Sequence, residues 1–437
     1  MKDIDKEVDE SASLLENDTV SEAKRSRAST WLFTVIIGMF IQGPLTTEAP
    51  IPIMTQMRSE PFNYSYLQYN MLFSISLLAG ALAPFLLVFL LKKIQTRSTK
   101  ILIAVVVWIG QLLFTIGLSL RQISLMYLGR FLIGFFETLL GLLYFEFAYL
   151  FPTNQLSISI EVVIIIAKIG NGINLALSPY IYSITRNIIS PSIFALALSF
   201  IGVFLILLVG SFDESSEEPR VSIQEKQERQ EVSSQGTFES LKQKLWSSAF
   251  IIILITSSLN CTYFQSNDLI YERFGFSNIV SGVLSLILIA SGIVVYRLCG
   301  RRRSKYPLIA SITLAAGHSV FAFLPNYENN GFIVILPLIL AGVSYSGFEF
   351  ELWGSLFASD SSETKRSISW AIFMQKIVLS FALIGIGIIQ DRTVAQKEGY
   401  YWSEFTLMII AGVAVIFSGI SYLRDKKQEE KELMLKD

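Results

Sequence analysis

The stretch ILIAVVVWIGQLLFTIGLSL, residues 101–120, decides the class of this protein. It is apolar almost throughout. As a helix it reaches about 30 Å, the thickness of a bilayer's hydrocarbon core. Water is absent there, so a spanning backbone must satisfy its own hydrogen bonds as a helix. Eleven further runs of this kind are found outward from it. The first half holds spans at 31–54, 69–91, 101–120, 125–150, 157–182 and 193–211. The second holds spans at 248–266, 279–298, 306–324, 332–358, 368–389 and 401–423. The first span is interrupted by Gly43-Pro44, Glu48, Pro50 and Pro52. Composition agrees: 52% of the 437 residues are hydrophobic and 16% charged, against about a quarter charged in soluble domains. Mean hydropathy is +0.52.

Net charge is −1, which leaves no footprint for nucleic acid, and Cys261 and Cys299 both fall in apolar runs with no disulfide or metal spacing. The polar, acidic start of the chain is no cleaved secretory signal. The reading divides the chain into a disordered cytosolic tail (1–30), a six-helix half (31–211), a charged linker (212–247), a second six-helix half (248–423) and a C-terminal tail (424–437). The end of the linker, 238–246, has the pattern of an amphipathic surface helix. Lys and Arg crowd one set of connections: Lys24, Arg25, Lys92, Lys93, Arg97, Lys100, Arg301 to Arg303, Lys365, Arg366, Lys426 and Lys427. The other set holds about a third as many. Both termini and the linker are therefore expected on the cytosolic side. Asn63-Tyr64-Ser65, on the far side, is a glycosylation sequon close to the second span. The expected fold is all-α and polytopic: the major facilitator plan, twelve transmembrane helices in two six-helix halves, with the solute between the halves near the midplane.

Within that plan, Gly129-Arg130-Phe131-Leu132-Ile133-Gly134 matches a G-R-x-x-x-G element on span four. Arg297 lies in a loose copy of the plan's basic loop motif after span eight. Charges inside spans mark pathways by default, because each is costly unless paired or wet. Span four carries Glu137 and Glu146, and span five carries Glu161 and Lys168. Glu137 and Lys168 each stand roughly 18–20 Å from the turn joining their helices, so they are placed to face each other. The alternative is a pair that merely holds two helices together. Spans ten and eleven repeat the arrangement with Glu349, Glu351 and Lys376. Tyr345, Glu349 and Trp353 recur every four residues as one stripe, which also suits ordinary interface packing. His318 is placed to relay protons, or simply to form hydrogen bonds. Glu10, Leu14 and Leu15 fit an acidic dileucine signal read by sorting adaptors that direct proteins to lysosomes or vacuoles. The candidate substrate-binding residues are Glu137, Lys168, Asn171, Tyr345, Glu349 and Trp353. Arg130, Gly134, Arg297 and Lys376 are assigned gating or structural roles. No nucleophile–His–acid set, phosphate loop, metal cluster or cofactor motif is present to support an enzyme.

Several segments resemble one family. They are Gln68-Tyr69-Asn70 with Leu72, Ile109-Gly110-Gln111, Gly129-Arg130-Phe131 with Gly134 and Glu137, and Ala167-Lys168-Ile169-Gly170 with Asn174. The second half adds Glu272-Arg273-Phe274, Gly342 with Ser344-Tyr345-Ser346, Leu352-Trp353 and Phe373-Met374-Gln375. From about residue 66 to 391 the chain resembles the lysosomal dipeptide uniporters, the family of major facilitator superfamily domain-containing protein 1. The resemblance implies export of dipeptides down their own gradient. It implies that Glu137 and Lys168 hold the solute's amino and carboxyl ends, and that a glycosylated accessory membrane protein is a partner. The family has Arg where Lys168 stands, and Glu349, Glu351 and Lys376 lie outside its pattern. The alternatives are a proton-coupled carrier of another organic solute and a transporter-like receptor that binds without moving its ligand.

Overall fold

The computed structural model describes residues 27–46, 53–150, 153–212, 238–299, 306–324, 331–344, 362–393 and 399–434. These form helices α1 (Arg27–Ile41), α2 (Met54–Arg58), α3 (Tyr66–Ala81), α4 (Ala83–Lys93), α5 (Thr96–Leu120), α6 (Ile123–Gly134), α7 (Phe136–Leu150), α8 (Thr153–Thr185), α9 (Ile189–Phe212), α10 (Phe238–Phe274), α11 (Asn278–Cys299) and α12 (Tyr306–Phe323). They are followed by α13 (Ile335–Ser344), α14 (Ser362–Thr393) and α15 (Gly399–Met434).

Helix stands at each of the twelve expected spans. The second is the pair α3 and α4, the fourth is α6 and α7, and α10 to α15 are the seventh to twelfth. Among the described residues, 6 helices are long and apolar enough to cross a membrane, or 7 if the bent pair counts as one span. Exposed apolar side chains, such as Phe204, Phe250, Ile312 and Ile416, stand on the outward faces of the helices, as lipid requires.

The breaks have local causes. Pro84 opens α4 and cannot donate to the turn before it, so the chain bends by 43° between α3 and α4. In the first span, π-helical winding from Ile37 to Thr46 takes up Gly43 and Pro44. The remainder of the expected first span, residues 47–52, lies outside the described residues, and Met54–Arg58 is helical. Helix α10 includes the expected amphipathic stretch 238–246 and continues to Phe274, eight residues past the expected end of the span.

The halves meet along two helix pairs, α3 with α14 and α8 with α11. Under a shift of six spans, span two becomes span eight and span five becomes span eleven. One pair therefore maps onto the other, as parallel repeats require. Glycines set the closeness of these and neighbouring contacts. A Cβ on Gly387 would stand 2.8 Å from Leu67 Cα, and one on Gly282 would run into the Leu175 carbonyl oxygen. The G-R-x-x-x-G element serves two neighbours. Gly129 lies against Gly110 of α5, and a Cβ on Gly134 would collide with the Ser76 carbonyl oxygen of α3. Between them Arg130 is fully buried, its Nε donating to the Leu72 carbonyl oxygen at 3.3 Å.

Gly134→Ala should lower the melting temperature and the yield of folded protein, because a backbone atom blocks the added methyl. Gly412→Ala meets nothing within 4 Å and should be neutral or stabilising by about 0.5–1 kcal/mol. Equal melting temperatures for the two variants would show that Gly134 does not set the α3–α6 approach.

Candidate functional site

The site is best followed down the α3–α14 contact. Ser65 caps α3 in a reciprocal box with Gln68. The first free backbone N–H groups of α3, on Tyr66 and Leu67, donate to the two oxygens of Asp391 on α14 at 2.7 and 3.1 Å. A carboxylate from one half thus caps a helix of the other. One turn in, Asn70 donates to Gln390 at 3.3 Å, and Gln390 exchanges bonds with Gln265 of α10. Another turn in, Ser74 and Ser380 each donate to the other's carbonyl oxygen at 3.0 Å. One turn beyond Ser380, Lys376 reaches across to Glu137 and forms an ion pair.

Glu137 stands in the first turn of α7, where the chain breaks at Phe135. Its Cγ lies 2.9 Å from where a Cβ on Gly80 would be, so the bare glycine lets the acid lie against α3. From Tyr66 to Gly80 the helix rises about 21 Å. Glu137 is therefore deep in the interface between the halves, as expected. Its partner is not the expected one. The sequence reading groups Lys376 with Glu349 and assigns it a gating or structural role. The structure instead pairs it with Glu137, because α14 runs along α3 and α7 flanks the same helix. Depth along a hairpin is legible in a sequence; the face each side chain presents is not. Lys168 is half-buried on α8, and Asn171, one turn on, is buried. Tyr345, Glu349, Glu351 and Trp353 lie outside the described residues, as do Glu10, Leu14 and Leu15. The side chains of Glu161 and Arg297 are likewise outside them. Glu146 forms a 2.6 Å pair with Lys100 at the end rich in basic loops.

At the opposite end, a cluster that the apolar runs do not reveal bridges the two halves. Arg58 of α2 contacts Asp268 at 2.6 Å and Glu272 at 2.8 Å, both on α10. The guanidinium lies 3.3 Å over the Tyr66 ring. Tyr66 donates to Glu272 at 2.7 Å, and Thr55 and Tyr400 donate to Asp268. Burial would lower the Arg58 pKa, but Asp268, then Tyr400, Tyr66 and Glu272, together outweigh it and raise it. Burial raises Glu272 above the usual carboxylate range, and repulsion from Asp268 adds to this against the pull of Arg58. The signal that could have exposed this cluster is the i, i+4 spacing of Asp268 and Glu272. It was hidden because they lie beyond the apolar run of their helix.

In the second half, His318 Nδ1 lies 2.7 Å from Glu404 and Nε2 lies 2.7 Å from the Ser258 hydroxyl. His318 and Glu404 are both fully buried. Glu404, in the twelfth span, was also absent from the expected residues.

Two outcomes follow for the Arg58 cluster. Arg58→Ala should leave the fully buried Asp268 without its cation, costing about 3–5 kcal/mol of stability, read as a lower melting temperature. Because Glu272 has a raised pKa in the closed arrangement, its protonation favours closure. That contribution is present in acid and is lost as pH rises through the raised value. Glu272→Gln should therefore flatten part of the parent's fall in melting temperature between acid and neutral pH. Identical pH profiles would remove Glu272 from the account.

The geometry agrees with what the chain resembles. The Major Facilitator Superfamily model matches residues 29–384. No curated protein matches the sequence. The xylose transporter XylE from E. coli, in a partially occluded inward-open conformation, superposes with a TM-score of 0.66 at 10% identity, over 90% of this chain and 98% of that one. A proton-dependent oligopeptide transporter gives 0.61 at 13% identity, over 91% and 98%. The nucleoside transporter NupG gives 0.57 at 15% identity, over 92% and 98%. Proteins named for three different solutes share this fold, so the likeness carries the architecture and not the solute. With a family match over most of its length and helices that meet as two repeated halves, the chain belongs to the Major Facilitator Superfamily of secondary transporters.

Proposed function

We propose that this transporter moves small peptides, dipeptides above all, out of the lysosome or vacuole by alternating access, as a uniporter. The observation that carries the reading is Glu137: a carboxylate deep in the interface between the halves, ion-paired to a base in the other half. A peptide's ammonium group needs such an anion in a low-dielectric cavity, and its carboxylate needs a cation nearby. Lys376 and Lys168 are the candidate cations, with Asn171 as a neutral contact. The Arg58–Asp268–Glu272 cluster supplies the closed end that alternating access requires. Opening there means parting these charges while the opposite end closes. The resemblance to dipeptide uniporters, with Glu137 at the acid's position, supports the same solute class. Tyr345, Glu349 and Trp353 on span ten are proposed as further contacts.

Lysosomal or vacuolar placement, with cytosolic termini, rests on Glu10, Leu14 and Leu15 and on the bias of Lys and Arg among the loops. Changing Leu14 and Leu15 to Ala should send the protein to the cell surface. Retention inside would show that the address lies elsewhere. A glycosylated accessory protein is a proposed partner on the far side, where Asn63 itself is exposed.

A second reading is favoured by one observation. His318 and Glu404 make a fully buried pair able to hold a proton between them. On that reading the carrier is coupled to protons. Both readings are tested in proteoliposomes with labelled alanyl-alanine. Uniport predicts counterflow without a pH gradient and loss of uptake in Glu137→Gln. Accumulation driven by a pH gradient, abolished in Glu404→Gln, would establish coupling instead. Parent-rate uptake by Glu137→Gln would sink the role of that residue.

A further inference from the structure

We propose that Lys376 is the carboxylate-binding residue of the transport site, and that in the empty carrier its ammonium group holds the place at Glu137 that the solute's ammonium takes when bound. The inference rests on the reading of Glu137 as the amine-binding acid. It adds a residue that the family resemblance does not assign to the solute's carboxylate.

Both partners of this ion pair reach water, whereas the Arg58 cluster combines the sealed Asp268 with a Glu272 that is 28% exposed. The side chains of Lys376 and Glu137 are 18% and 26% exposed. Those of Arg58 and Asp268 are 13% and 0% exposed, and those of His318 and Glu404 are 1% each. Asp268 and the His318–Glu404 pair are sealed, whereas both side chains of the Glu137–Lys376 pair are within reach of water and of a small solute.

The pair also joins the two halves with opposite charges. A solute carrying both an ammonium and a carboxylate can enter between them. Glu137 then keeps a cation, Lys376 keeps an anion, and no charge is left unpaired. A solute with only one charged end would leave Glu137 or Lys376 buried alone, which is costly. Selection for zwitterions therefore comes from the penalty on half-matched solutes as much as from attraction.

Lysine suits this exchange. Its ammonium is a point charge on a flexible stem, free to swing without a fixed fork. The backbone beneath it need not move, because Ser380, one turn away, is bonded reciprocally to Ser74 of α3. The same pair makes the empty carrier electrically self-contained, so the unloaded halves can turn over without exposing a lone charge to the interior. That is what a carrier without a coupling ion needs.

The test is binding to the purified full-length protein. The probes are alanyl-alanine, its N-acetyl form, its C-terminal amide, the doubly blocked form, and alanine. The parent should bind free alanyl-alanine about tenfold or more tightly than the amide, the scale of one charge-assisted bond. Lys376→Met should bind the two alike while still preferring the free amine over the N-acetyl form. Lys376→Arg should keep the preference of the parent. If Lys376→Met does not fold, the double change Glu137→Gln with Lys376→Gln removes both charges and should bind all four dipeptide forms alike. A tenfold preference for the free carboxylate persisting in Lys376→Met, or in that double variant, overturns the assignment. So does its loss in Lys168→Met alone. If alanine shows the end-group pattern and alanyl-alanine does not bind, the dipeptide reading falls and the role of Lys376 stands. If neither zwitterion binds the parent more tightly than the doubly blocked form, the role of Lys376 falls.

Discussion

A carboxylate about 21 Å along α3 from its first residue, in the interface between the halves and 26% exposed, needs a cation beside it. Glu137 is held there by packing. The break at Phe135 puts it in the first turn of α7, and Gly80 leaves the room for it to lie against α3. Its charge must then be met from the opposite half, and Lys376 of α14 meets it. The rest of the interface follows from bringing α14 that close. Asp391 caps α3, Gln390 bonds Asn70, Ser380 exchanges bonds with Ser74, and Gly387 lies on Leu67. Each makes the approach possible or profits from it. None would form if the helices stood a side chain's width further apart.

The same contact distinguishes two uses of buried charge. At the far end, one arginine serves two acids under a tyrosine lid, and Asp268 has no exposure at all. Such a cluster is a closure, since parting it requires both halves to move. At mid-depth the pair is partly open and carries one charge of each sign. On the proposed reading, an incoming solute displaces it without the helices separating first. Burial, more than residue type, divides the roles.

Much of the fold was legible in the chain. Apolar runs located helices at all twelve expected spans, because a bilayer imposes length and composition directly. Gly129 and Gly134 were legible as close-approach residues, and each proved to face a different helix. Glu137 was legible as an intramembrane charge at the right depth. Its partner was not, because the spacing of residues along a hairpin carries no information on which neighbouring helix lies across the interface. Arg58, Asp268 and Glu272 were missed for another reason. Helix α10 runs on past its apolar stretch, so polar residues that read as loop are helical and aimed at the other half. Glu404 escaped because it falls near the start of the last span, where a charge looks like a boundary.

Helix α10 has a mechanical consequence. It is one continuous helix of about 55 Å, running from the last part of the expected linker to the acids that hold Arg58. Pivoted at its linker end by about 10°, such a rod carries its other tip roughly 10 Å, far beyond the reach of an ion pair. Any tilt of this helix is therefore read at Asp268 and Glu272, at the end remote from its first turn.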